Sequence, residues 1–191
     1  NKYRVLDGNE DLPENLHAYH ELIIDRLGIG DLKAILTPIV ATLAVALEPL
    51  SKDEIVTLLR LRSLIPEDNS GTQLVLNGLA TIASMLRRAP DPEGEEGYTL
   101  FHASLREHIL TTPTMVSNVA LSRQSFAKAA ITPEKNKSIE NYLYRRGIDH
   151  LLIANKIKDA EKKLLDLQYL IKMFQRGKEK LNILKYWITI G

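Results

Sequence analysis

The chain has 191 residues, room for one large domain or two small ones. Its apolar fraction of 45% and charged fraction of 26% are those of a core-forming protein and exclude a disordered one. A net charge of +1 provides no bulk attraction to nucleic acid or anionic membrane, and the lack of cysteine removes disulfides, thiolate metal sites and cysteine nucleophiles.

Almost every periodic segment has helical spacing. Glu14 to Leu27 repeats apolar residues at Leu16, Tyr19, Ile23 and Leu27, with Pro13 suited to a helix start and Gly28 and Gly30 to its end. Asp31 can cap a second helix running to about Leu47, apolar on most faces and therefore central, with Pro38 implying a kink or a late start. The apolar run Leu36 to Leu47 is too short to span a bilayer. Ser51 and Glu54 form a capping box ahead of Ile55, Leu58 and Leu59. Glu67 to Thr72 reads as a loop and Gln73 to Leu86 as a helix. An acidic, Pro- and Gly-rich loop, Ala89 to Gly97, separates strand candidates Met85 to Arg88 and Tyr98 to Phe101, the pattern of a β-hairpin. A helix pattern with Leu105, Ile109 and Leu110 follows directly.

Thr111 to Ser117 is a linker candidate. Beyond it lie helix patterns over Val119 to Ala130, Pro133 to Ala154, Lys158 to Leu165, Leu167 to Phe174 and Lys178 to Ile190. The fold class expected is mainly α: a winged-helix domain with a small hairpin wing, then an α-helical, repeat-like domain without a clean internal period. The expected divisions are 1–30, the end of a preceding helical domain; 31–112, the winged helix; and 113–191, the helical domain. Without an initiator Met at Asn1, the chain reads as a piece of a longer protein.

A winged helix raises the question of DNA binding, and charge argues against it. The candidate recognition helix has no Lys or Arg from Gly71 to Met85, with Arg87 and Arg88 only at its end. The wing carries Asp91, Glu93, Glu95 and Glu96, which repel phosphate, and base-reading candidates reduce to Gln73 and Asn77. Catalysis fares no better. Leu27-Gly28-Ile29-Gly30 lacks the spacing and the Lys-Ser/Thr of a P-loop. His17 and His20 share a helix face but lack further ligands, so they read as a surface pair, not a metal site. Ser104, two residues after His102, is no nucleophile–base pair on spacing alone.

The most informative stretch is Tyr98 to Leu110, YTLFHASLREHIL, where a strand passes into a helix with His102 at the junction. Unpaired backbone N–H groups and the positive end of the helix dipole suit an anion there. The plainer alternative is a partly buried histidine with a local hydrogen bond.

Four stretches, taken in order, resemble one family. LPENLHAYHELIIDRL is similar to the end of the small helical domain in signal-transduction ATPases of the STAND class, which includes the NACHT and NB-ARC groups. ILTPIVATLAVALEPLSKDEIVTLLRL resembles the opening of their winged-helix domain, and YTLFHASLREHIL its end, with an aromatic-His-x-Ser-Leu/Phe-Arg signature. ENYLYRRGIDHLLIANKIKDAEKKLLDLQYLIKMF resembles the helical segment after it, including Tyr144, His150 and Leu151.

The resemblance implies that His102 contacts the β-phosphate of ADP in the resting, closed form. It also implies ATP/ADP and Mg²⁺ as cofactors of the parent protein, whose P-loop and catalytic acid lie before Asn1, so that this chain is not itself an enzyme. The implied partners are the nucleotide-binding domain of the same polypeptide, a C-terminal repeat sensor, and further copies in an activated homo-oligomer, with neither nucleic acid nor membrane. The implied role is an autoinhibition and oligomerisation switch in the cytoplasm. Plant members carry Met-His-Asp where this chain has Phe101-His102-Ala103. The alternative function is a stand-alone winged-helix protein-interaction adaptor, with a DNA-binding regulator behind it.

Overall fold

The computed structural model describes residues 16–27, 33–90, 92, 94–176 and 180–190. The expected helix start at Pro13, the stop at Gly28 and Gly30, the cap at Asp31, the wing carboxylates Asp91 and Glu93 and the helix start at Lys178 lie outside the described residues.

The protein is mainly helical with a small two-stranded antiparallel sheet. Helices α1 (Leu16–Leu27), α2 (Lys33–Val45), α3 (Lys52–Arg60) and α4 (Asn69–Thr81) precede strands β1 (Leu86–Pro90) and β2 (Glu96–Leu100). Then come α5 (Ala103–Thr111), α6 (Val116–Ile131), α7 (Glu140–Ile153), α8 (Ile157–Leu164), α9 (Leu167–Gln175) and α10 (Lys180–Ile190).

Helix α2 is the hub. Ile39, Val40, Ala41, Leu43 and Ala44 are all buried, as a helix apolar on most faces requires. It runs through Pro38 instead of starting after it. The capping box at α3 is closed in both directions: the Glu54 amide donates to Ser51 Oγ at 3.3 Å, and the Ser51 amide donates to Glu54 Oε2 at 2.7 Å.

Helix α4 begins and ends earlier than periodicity predicts. The Asp68 carboxylate accepts the Ser70 amide at 2.9 Å and starts the helix four residues before Gln73. The helix closes at Ile82, and a single 3-10 turn over Ala83–Met85 feeds β1. In the hairpin Leu86 pairs with Leu100, Arg88 with Tyr98 and Pro90 with Glu96. On its other edge β2 is held by Leu50, whose amide donates to Tyr98 O at 3.0 Å while the Tyr98 amide donates to Leu50 O at 2.7 Å. The approach is close enough that a Cβ on Gly97 would lie 2.8 Å from Pro49 Cβ. Only glycine fits there.

Residues 111–117 are not a slack linker. Pro113 opens a 3-10 turn, Met115 is buried within it, and α6 starts at once. Helix α6 packs along α2, where Thr42 Oγ1 and Ser122 Oγ are 3.2 Å apart, and against α7 on its other side. One hydrophobic cluster extends unbroken from Ile24 to Tyr186. Nor does Pro133 open the long helix expected to Ala154. The Asn136 side-chain amide donates to Thr132 O at 2.9 Å, two short 3-10 turns follow Pro133, and α7 starts at Glu140.

The loop between α2 and α3 is fastened to α7 by polar groups. The Leu47 amide donates to the Tyr142 hydroxyl at 3.0 Å. Glu48 accepts from Arg145 Nε at 2.9 Å and from Arg146 Nε at 2.6 Å. Asp149, an ion-pair partner of Arg146 at 3.7 Å, also accepts the Tyr186 hydroxyl of α10 at 2.8 Å.

Candidate functional site at the start of α5

Strand β2 ends at Leu100, and the Phe101 amide donates to Met85 O at 2.9 Å, closing the hairpin. His102 follows in extended conformation (φ −131°, ψ 134°) as the N-cap of α5. Leu105 and Ile109 anchor the inner face of that helix in the core. Its outer flank is tied to α2 by Arg106, which donates to Ala44 O at 2.7 Å and Ala46 O at 3.4 Å. These are carbonyls at the C-terminal end of α2, where a cation is favoured. Arg106 belongs to the stretch that carried the resemblance, but its anchoring role has no sequence signal because its partners lie about sixty residues away.

The His102 ring is exposed. Nδ1 accepts the Ser104 amide at 3.3 Å and lies 2.6 Å from Ser104 Oγ. With Nδ1 engaged as an acceptor, the network assigns the proton of the neutral ring to Nε2. That leaves a single N–H donor on an exposed ring beside the first turn of α5. Phe101, also exposed, stands edge-on to it with centroids 5.7 Å apart. The plainer alternative is therefore half met: the local hydrogen bond exists, but the ring is not buried.

The Ser104–His102 contact is a capping contact. It uses Nδ1, both hydrogen bonds of the ring go to Ser104, and among the described residues no carboxylate orients the imidazole. A serine–histidine nucleophile needs that third group.

His20 departs from expectation. It is not half of a surface pair but is buried between α1 and α5, its ring 5.6 Å from that of His108. The apolar face of α1 turns it inward, and the side chain of His17 lies outside the described residues. Among the described residues no group of three or more His, Cys, Asp or Glu could hold a metal ion. Arg88 on the hairpin pairs with Glu96 at 2.9 Å and covers the Tyr98 ring, with its guanidinium 5.8 Å from the centroid. Among the described residues no helix is long and apolar enough to cross a membrane.

No protein-family model matches this sequence, and no curated protein and no solved structure matches it significantly.

Proposed function

We propose that this chain is the regulatory region of a STAND-type NTPase, a winged helix with its following helical segment, coupling nucleotide state to a C-terminal sensor. The winged helix is α2 to α5 with the β1–β2 hairpin as its wing. The observation that carries the proposal is the exposed His102 at the N-terminus of α5, its Nδ1 taken by Ser104 and its Nε2 directed to act as a donor. The group suits a terminal phosphate oxygen of ADP, since an imidazole N–H and the first-turn amides of α5 favour negative charge together. ADP or ATP with Mg²⁺ is held by residues of the parent protein before this segment. His102 supplies one donor and α5 its dipole, too little to retain a nucleotide alone.

In the resting state His102 latches this region onto the nucleotide-binding domain. On exchange for ATP the region swings away and allows copies of the parent to assemble. Because one core crosses residues 111–117, the winged helix and the helical segment move together. The pivot is then the chain around Gly28-Ile29-Gly30, outside the described residues.

The test is His102→Ala and His102→Gln in the protein that contains this segment. Purified His102→Ala should lose co-purifying ADP and assemble without its trigger. If both variants keep ADP and stay resting, the latch role is wrong.

A further inference from the structure

Two histidines meet where α1 packs on α5. Among the described side chains of α1, His20, Ile24 and Leu27 are buried, one stripe at i, i+4 and i+7. Ile24 and Leu27 join the hydrophobic core, whereas His20 lies against His108 from the last turn of α5. The ring centres are 5.6 Å apart with the planes inclined at 43°, and the residues are only 3% and 9% exposed. Tyr19 flanks the pair, its ring 6.1 Å from that of His20. An imidazole is an unusual choice for both sides of a buried helix contact, because it is the side chain whose charge changes near neutral pH.

Neutral rings pack there much as apolar groups do. Two imidazolium ions at this spacing repel each other, and burial removes the water that would screen them. A buried carboxylate beside them would reverse the argument. The elements packed on α1 and α5 are α2, α6, β2 and the turn Pro113–Met115. Helix α2 holds no charged residue after Lys33, and the turn holds none. Arg106 is occupied by the α2 carbonyls, Arg123 of α6 is half-buried and Lys128 exposed, and Tyr98 of β2 lies under the Arg88 guanidinium. The carboxylates described on all these elements are Glu21, Asp25, Glu96 and Glu107, and every one is exposed.

We infer that the His20–His108 contact is an acid-sensitive clasp, closed while both rings are neutral and opened, with release of α1 from α5, when they take up protons. A histidine in an open chain protonates near pH ~6.5. The closed form is therefore fully favoured above that pH and loses ground below it, about tenfold per pH unit for one linked proton and about a hundredfold for two. Helix α1 precedes the chain around Gly28-Ile29-Gly30 and α5 follows it, so the clasp bridges that segment. The inference is independent of the nucleotide latch, because its test reads no nucleotide.

The test is hydrogen exchange of the 191-residue chain, read by mass spectrometry as protection factors one pH unit above and one below ~6.5. Between the two conditions protection of α1 should fall about tenfold or more, while α6 and α7 remain protected. His20→Leu with His108→Leu keeps an apolar contact without a titratable ring, and its α1 should keep its protection in both conditions. His20→Gln leaves one ring and should show about half of the parent's change on a logarithmic scale. Circular dichroism in the less acidic buffer checks that both variants fold. Equal protection of α1 in the parent under the two conditions overturns the inference. So does an undiminished fall in the Leu variant, or loss of protection in α1 only when α6 and α7 lose theirs.

Discussion

The Nε2 of His150 lies 2.7 Å from the Tyr142 hydroxyl, and that oxygen also accepts the Leu47 amide. The imidazole stacks flat on Phe126, with centroids 4.1 Å apart and an interplanar angle of 6°. Burial pushes the Tyr142 phenol well above its ordinary range, so the hydroxyl keeps its proton and donates it to Nε2. The ring proton of His150 is thereby placed on Nδ1. Burial first, and then the nearby charge of Arg146, push the His150 pKa down to about 3. An unfolded histidine titrates near 6.5, so between pH ~6.5 and ~3 the unfolded chain holds a proton that the folded chain refuses. The stability contributed by the neutral ring is complete above pH ~6.5 and falls by about 1.4 kcal/mol per pH unit below it. His150→Gln should be less stable at pH 7, by about 1–3 kcal/mol for the lost ring packing and network. Between pH 6.5 and 5 its stability should decline less steeply than that of the parent. Urea unfolding of both proteins at several pH values checks this, since the two differ only at that ring. Parallel pH dependences would refute the assignment of a buried neutral ring.

The caps decide where helices begin, and they account for which elements were legible. Ser51 and Glu54 announce α3 because the pattern is local and both residues are present in the chain. Apolar periodicity, which begins at Leu76, places the start of α4 too late, because the start is set by the Asp68 cap, whose partner Ser70 is only two residues on. The hairpin and the following helix were legible from a change of period at Phe101, and with them the place of His102. The role of Ser104 in fixing the imidazole tautomer needs the φ/ψ of the cap, and the burial of His20 needs the packing of α1 on α5. Neither is encoded locally. Two substitutions test the caps. Ser51→Ala should lower stability by about 1 kcal/mol without altering the fold, measured by chemical denaturation. Gly71→Ala in the first turn of α4 should cost more, about 1–3 kcal/mol, because the new Cβ would overlap the carbonyl oxygen of Pro66. That loop is already pinned by Arg60, which donates to Pro66 O at 3.2 Å and Asp68 O at 2.8 Å, so it cannot withdraw freely. A Gly71→Ala protein as stable as the parent would show that the loop yields after all.

For the whole molecule, the consequential feature is that nothing separates the part before residue 112 from the part after it. Met115 is buried in the turn between α5 and α6, Ser122 meets Thr42 across the packed faces of α2 and α6, and Glu48 is gripped by two arginines of α7. Glu48 is only 11% exposed and Arg145 only 8%, so this bracket lies largely out of water. Removing one partner of such a cluster leaves uncompensated charge and costs about 3–5 kcal/mol. If the two parts were independent, a change at Glu48 would weaken their contact and leave two separate unfolding steps. With one core through both, unfolding is a single cooperative transition, and Glu48→Ala lowers its midpoint without splitting it. The measurement is denaturant unfolding followed by two probes. One is the fluorescence of Trp187 in α10, the single tryptophan of the chain; the other is far-ultraviolet circular dichroism, which reports all helices. Coincident curves for parent and Glu48→Ala, the second displaced to lower denaturant, are expected. Separated curves would make residues 111–117 a true boundary and place a second hinge at that turn.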